Sequence, residues 1–136
     1  MKIGIDCRLA GSQHAGIGRY TESLLTSLLK VNSNNNWVLF FYDENQAKAV
    51  LKNNFDHQKV QVVITPISHY SVEEQLKLPK IFKAEKLDLL HIPHFNIPIF
   101  YSGKLVVTIH DLLWHEYKGG TATTLSPLKY FLKYIF

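Results

Sequence analysis

The residues whose types and spacing most clearly suggest a ligand site lie between Gly11 and Tyr20. They form the segment Gly-Ser-Gln-His-Ala-Gly-Ile-Gly-Arg-Tyr, which follows the short apolar stretch 2–6. Glycines let a ligand approach the backbone closely, and the first free amides of a helix attract anions. A strand, a glycine-rich turn and a helix in this order predict a phosphate site. The spacing matches neither the dinucleotide fingerprint nor the P-loop, so it predicts neither NAD binding nor ATP hydrolysis. A turn whose glycines serve only to bend the chain is the alternative.

Histidines and an acid follow two further apolar stretches: His91 and His94 at the fourth, and His110 with Asp111 at the fifth. Imidazole and carboxylate are suitable ligands for zinc or iron, but Pro93 would spread the first pair along an extended segment. No metal site is therefore predicted. His91 is expected to be a satisfied histidine within a buried strand. His110 ends an apolar strand beside an acid, where a neutral imidazole can bind a sugar hydroxyl or a phosphate oxygen, or exchange a proton.

The elements that must position these residues alternate between strand and helix patterns. This alternation predicts an α/β fold, with a Rossmann-like, doubly wound, mainly parallel sheet and helices on both faces. Strands are expected at 2–6, 37–42, 60–64, 87–92 and 105–109. Helices are expected after the glycine-rich turn, from the cap Asp43 to about Lys52, from the capping box at Ser71, and from Ser126-Pro127. Pro79 should either kink the third helix or start a new turn.

Composition restricts the class of protein. The chain has 136 residues, enough for one domain, and a net charge of +4 with dispersed cations. Cys7 is the only cysteine, so no internal disulfide can form, and the N-terminal apolar segment is too short for a signal peptide. These features predict a cytoplasmic protein. Lysines at 77, 80, 83 and 86 could form a basic stripe, but a solvated helix face explains them equally well, so no nucleic-acid partner is predicted.

The segment 126–136 is unusually apolar for a chain terminus, because it carries five aromatic residues or isoleucines after Lys129. It is expected to pack on the domain's own sheet, to continue into a longer protein, or to lie on a membrane or a partner. Self-association through this helix is a further expectation.

Four motifs in order resemble the N-terminal signatures of GT-B glycosyltransferases of family 4. They are Ile-Gly-Ile-Asp-Cys-Arg at 3–8, Gly-Ile-Gly-Arg-Tyr-Thr-Glu-Ser-Leu at 16–24, Leu-Leu-His-Ile-Pro-His-Phe at 89–95 and Val-Val-Thr-Ile-His-Asp-Leu at 106–112. Together they span most of the chain. Cys7 departs from the alanine that is common in the family, and no function is attached to it.

The resemblance implies that residues 1–136 form the N-terminal, acceptor-side Rossmann-like domain of a retaining, metal-independent transferase that needs no cofactor. Gly16, Ile17, Gly18 and Arg19 would contact the diphosphate of a nucleotide-sugar donor. His110 would contact the transferred sugar, with Asp111 shaping that corner as its catalytic partner. A second group, on the acceptor side, comprises His91, His94 and Phe95. The acceptor would be a glycan or a lipid-linked glycan, and peripheral contact with the inner face of the plasma membrane is an added expectation.

The same resemblance implies that the nucleotide-sugar pocket lies mostly in a C-terminal domain absent from this chain. Without that domain's charge compensation for the leaving diphosphate, the chain alone is expected to be inactive or nearly so. The alternative is a stand-alone Rossmann-like binding module for a phosphorylated ligand or a protein partner. An in-frame continuation of the gene into a second domain would favour the transferase, and a natural stop would favour the binding module or a split enzyme.

Overall fold

The fold is a five-stranded, fully parallel sheet with the strand order β3-β2-β1-β4-β5, seen in a computed structural model that describes residues 1–31, 34–52, 55–56 and 58–111. The strands are β1 (Lys2–Asp6), β2 (Asn36–Phe41), β3 (Val60–Ile64), β4 (Leu89–Ile92) and β5 (Leu105–Val107). The helices are α1 (Ala15–Lys30), α2 (Glu44–Leu51) and α3 (Val72–Ala84), and a short 3-10 turn at Ser12–His14 precedes α1. The predicted α/β, Rossmann-like fold is confirmed.

Helices cover both faces of the sheet, which makes it doubly wound. On one face, Ile5, Leu39 and Phe41 pack with Leu25 of α1 and Val50 of α2. On the other face, five side chains from the sheet and α3 form a second cluster: Val38, Phe40, Leu90, Leu78 and Phe82. Strand β2 contributes to both clusters and is buried from Trp37 to Phe41, as its continuous apolar run predicts.

Two predicted helix starts are confirmed by their caps. The Asp43 carboxylate accepts a hydrogen bond from the Gln46 amide at 2.8 Å, and the Ser71 hydroxyl accepts one from the Glu74 amide at 3.0 Å. The capping box at Ser71 is only half formed, because the Glu74 side chain accepts from the Tyr70 amide and from Arg8 instead of the Ser71 amide. Pro79 lies inside α3, which runs continuously from Val72 to Ala84.

The remaining differences lie at element ends. Strand β4 begins at Leu89, two residues later than predicted, β5 ends at Val107, two residues earlier, and β2 is shifted by one residue. Helix α1 begins at Ala15, so Gly16 and Gly18 lie in its first residues and not in a turn that precedes it. The helix predicted from Ser126-Pro127 and the self-association assigned to 126–136 lie outside the described residues. Within the described ranges, no helix has the length and apolar character needed to cross a membrane.

Candidate functional site

The glycine-rich turn follows β1 at the point where the strand order reverses. Strand β1 pairs with β2 on one side and with β4 on the other, and in doubly wound sheets ligands bind beside such a switch point at the carboxyl ends of the strands. Gly11 has a φ of 106°, a conformation that favours glycine. Gly18 packs so closely that an added Cβ would overlap the Gly11 carbonyl and would lie 2.9 Å from the Leu9 carbonyl oxygen. These two glycines therefore shape the turn itself.

Gly16 differs from these glycines because it faces open space: no heavy atom lies within 4 Å of the position that its Cβ would occupy. Helix α1 starts at Ala15 with no side-chain cap on its first amides and no acid in its first turn, in contrast to α2 and α3. Ala15 itself has a φ of 46°, which is strained for a residue with a side chain. The exposed Gly16 backbone is thus presented at the positive end of α1.

His110 has two defined contacts, one with α1 and one with the segment that follows β4. Its ring packs edge-on against the Tyr20 ring, with centroids 4.9 Å apart, and its Nε2 lies 2.9 Å from the carbonyl oxygen of Pro93. A carbonyl only accepts, so Nε2 carries the hydrogen and a neutral ring keeps the Nδ1 lone pair. Tyr20 follows Gly16 by four residues, which puts both on one face of α1. The fifth strand end and the glycine-rich turn therefore border one region.

The predicted acceptor-side residues have defined partners. Nε2 of His91 lies 2.9 Å from the Thr108 hydroxyl, and burial lowers the pKa of His91. This agrees with the expected satisfied histidine in a strand. His94 is buried, its Nδ1 accepts from the Asn96 amide at 3.0 Å, and the Phe95 ring stacks on it with centroids 4.3 Å apart.

The other predicted site residues are more exposed. Arg19 and Asp111 are exposed, and Ile17 is half-buried. The histidines do not converge with other ligands: in the described ranges no group of three or more His, Cys, Asp or Glu side chains is arranged to hold a metal ion.

A buried ionic network underlies the turn. The Arg8 guanidinium donates to Asp6 at 2.7 Å, to Glu74 at 2.8 Å and to the Ile67 carbonyl at 2.9 Å. Burial opposes the charged form of Asp6, but the Arg8 charge and hydrogen bonds outweigh it and lower the pKa of Asp6. The motif at 3–8 therefore contains a structural ion pair, and Arg8 has its donors committed within the protein.

A cavity of about 780 Å³ lies beside this network, at the carboxyl ends of β1, β2 and β3. Its lining includes Ser12, Gln13, Tyr42, Asn45, His69 and Tyr70. Burial and the neighbouring Arg8 charge lower the pKa of His69 to about 3, so its ring is neutral at physiological pH. Apart from the paired Arg8, the Asp43 carboxylate and the exposed His14 ring, the cavity offers uncharged hydrogen-bonding groups and aromatic rings.

Gln46 joins the cavity to the glycine-rich turn. Its Nε2 lies within 3.2 Å of the carbonyl oxygens of Cys7, Arg8 and Ala10, and its Oε1 accepts from the Tyr42 amide at 2.8 Å. One side chain thus fixes the path of the chain from β1 into the turn. No local sequence pattern indicates that Gln46 fixes the chain path or that His69 lines the cavity. Tyr20 is different, because its position four residues after Gly16 indicates that both lie on one face of the helix.

Comparison of the chain with models of protein families, with curated proteins and with solved structures found no match in any of the three.

Proposed function

We propose that this chain is the acceptor-side domain of a GT-B glycosyltransferase similar to family 4. In this proposal the complete enzyme moves a sugar, with retention of configuration and without a metal, from a nucleotide-sugar donor to a glycan or lipid-linked acceptor. The observation that carries the proposal is the approach of His110 to α1 through Tyr20, four residues after the open backbone of Gly16. A diphosphate near Gly16 would leave its sugar within the region that His110 borders.

Each group has a distinct chemical role in this proposal. The first amides of α1 stabilise negative charge on the leaving diphosphate, supplementing charged groups of a donor-binding domain. His110, with Nε2 committed to Pro93, uses Nδ1 as the acceptor for a sugar hydroxyl. Asp111 follows it at the same strand end.

Alanine substitution of the two glycines separates ligand contact from folding. Gly18→Ala should lower the free energy of unfolding by about 1–3 kcal/mol, because the new methyl group overlaps backbone. Gly16→Ala should leave stability equal or higher, since the methyl group enters open space and alanine favours the helix. In a full-length product that contains the donor domain, Gly16→Ala should raise the donor KM or the inhibition constant of the nucleoside diphosphate at least tenfold. Chemical denaturation and steady-state transfer assays measure the two effects.

Full donor affinity in the stable Gly16→Ala variant would contradict a diphosphate contact at this turn. Thr26→Ala, an exposed change on the same helix, serves as the control for nonspecific effects. If no nucleotide sugar supports transfer by the full-length product, the transferase proposal itself fails, and the result favours the alternative of a binding module.

The cavity beside β1–β3 favours an acceptor of neutral sugar units. Arg8, which lines the cavity, is already paired with Asp6 and Glu74, His69 is uncharged, and the lining also includes the Asp43 carboxylate. A phosphorylated ligand would find little compensation there, whereas sugar rings bind to aromatic faces and hydroxyl and amide groups. For the alternative binding module, this feature disfavours a phosphorylated ligand inside the cavity and leaves the first amides of α1 as the place for one.

Tyr42→Ala tests the acceptor cavity, because this exposed ring lines it after β2. We expect the acceptor KM to rise about tenfold while kcat and the donor KM change less, since the ring lies in the cavity lining and not at the Gly16–His110 region. Initial rates at varied acceptor concentration give this comparison. An unchanged acceptor KM, or an equal loss with every acceptor and donor, would place the acceptor elsewhere.

A further inference from the structure

A groove of about 570 Å³ lies along one flank of α3, between this helix and the loop that joins β4 to β5. Its apolar lining includes Leu76, Pro79, Phe82, Phe100 and Tyr101. Pro79 and Phe82 are buried, whereas Leu76 and Phe100 project at the surface. The groove is therefore an apolar depression with exposed apolar edges.

Large apolar side chains are concentrated around this groove. The exposed fractions are 61% for Val72, 55% for Leu76, 51% for Ile99 and 65% for Phe100. Val72 and Leu76 share one face of α3 at a spacing of four residues, and the Ile99 amide donates to Gln75 at 2.8 Å, which ties the loop to the helix. Contiguous exposed apolar surface of this kind marks a binding surface on soluble domains.

Three exposed lysines border the same groove: Lys80, Lys83 and Lys86. Within the described part of the chain these lysines form no ion pair, whereas Lys2, Lys48, Lys52 and Lys77 each pair with a glutamate. The groove lining contains no described carboxylate. Positive charge and exposed apolar side chains thus coincide on one surface, which we call the α3 surface: Val72, Leu76, Lys80, Lys83, Lys86, Ile99 and Phe100.

We propose that the α3 surface docks onto a membrane of anionic phospholipids. Ile99 and Phe100 enter the boundary between headgroups and acyl chains, and the three lysines face the lipid phosphates. Both components are needed, because one or two small apolar insertions bind weakly and a few lysines bind weakly without them. The surface is inferred from its own composition, and it holds whether or not the chain belongs to a transferase.

The apolar component favours a lipid surface over a nucleic acid. A phosphate backbone would use the lysines but would leave Val72, Leu76 and Ile99 in contact with water or with charged groups. Aliphatic side chains gain free energy on entering an acyl layer and have no comparable partner on a nucleic-acid backbone. The combination therefore fits an anionic bilayer, and it gives the lysine spacing noted in the sequence a role other than nucleic-acid binding.

Vesicle co-sedimentation of the full chain tests the proposal. We expect binding to vesicles containing phosphatidylglycerol, at least tenfold weaker binding to pure phosphatidylcholine, and weakening with added salt. Lys80→Glu/Lys83→Glu and Ile99→Ser/Phe100→Ser should each reduce binding to anionic vesicles at least tenfold. All four positions are exposed, so the variants should keep the circular dichroism spectrum and unfolding midpoint of the parent.

The matched control is Lys30→Glu/Lys48→Glu, which changes the net charge equally at exposed lysines outside the α3 surface. This control should retain most of the binding. Equal losses in the control and the α3-surface lysine variant would show a nonspecific charge effect and overturn the proposal. Absence of vesicle binding by the parent would overturn it, as would self-association or DNA binding that the same substitutions abolish while vesicle binding persists. Because the readout is binding and not transfer, this result is separable from the transferase test.

Discussion

Replacing Arg8 with methionine should lower the free energy of unfolding by about 3–5 kcal/mol. The side chain is fully buried, and it is the cation that compensates Asp6 and Glu74, whose side chains are 3% and 0% exposed. Methionine preserves much of the side-chain length but leaves two buried carboxylates close together without that charge. Urea denaturation at neutral pH measures the loss.

The pH dependence of the difference in unfolding free energy between the parent and Arg8→Met identifies the electrostatic origin of that difference. In the parent, the lowered pKa of Asp6 means that its contribution to stability is present above the unfolded pKa and is lost as pH falls through the folded pKa. In the variant, acid protonates carboxylates that have lost their partner. The difference in free energy of unfolding between variant and parent should therefore become smaller as pH falls toward 4.

Lys48→Met provides the control, since it removes an exposed lysine from a surface pair with Glu44 and should cost less than about 1 kcal/mol. The buried ionic network would not have the stabilising role assigned to it if Arg8→Met lowered the free energy of unfolding by less than about 1 kcal/mol. The same conclusion would follow if the difference between variant and parent stayed constant with pH.

The fold could be predicted because its determinants are local. The alternation of strand and helix patterns, the continuous apolar run of β2, and the caps Asp43 and Ser71 each depend on residues close together in sequence. The parallel, doubly wound arrangement then follows from the few ways in which such units can pack. The errors are in element boundaries: α1 begins earlier than predicted, β2 is shifted by one residue, and β4 and β5 are shorter because hydrogen bonding to a neighbouring strand decides where they end.

The roles of individual side chains depended on partners distant in sequence. Glu74 matched a capping box, but its carboxylate is diverted to Arg8, which lies 66 residues away. Gly16 and Gly18 look equivalent in the sequence, yet one faces open space and the other packs on the Leu9 and Gly11 carbonyls. The position of His110 after an apolar stretch marks it as a candidate, whereas its contact with Tyr20 requires the folded sheet and helix together.

The neutrality of His69 in the folded state predicts that the protein loses stability at weakly acidic pH. Burial and the Arg8 charge lower the pKa of His69 to about 3, whereas an unfolded histidine titrates near 6.5. Between these values the unfolded chain binds a proton at this residue and the folded chain does not, so stability falls as pH falls. The slope approaches about 1.4 kcal/mol per pH unit, which gives a loss of roughly 3 kcal/mol between pH 6.5 and 4.

His69→Gln should remove this slope, because glutamine does not titrate and keeps a polar group at the same place. Urea denaturation from pH 7 to 4 should therefore give a flatter stability profile for the variant than for the parent. His14→Gln is the control, since this exposed ring lies on the same cavity and its charge is the smallest of the named causes that lower the pKa of His69, so its profile should stay close to that of the parent. His91→Gln should flatten the profile less than His69→Gln does, because burial also lowers the pKa of His91, although this ring is less enclosed. Parallel profiles for the parent and His69→Gln would mean that the folded protein accepts a proton at His69, and the cavity would then carry positive charge below neutral pH and favour an anionic ligand.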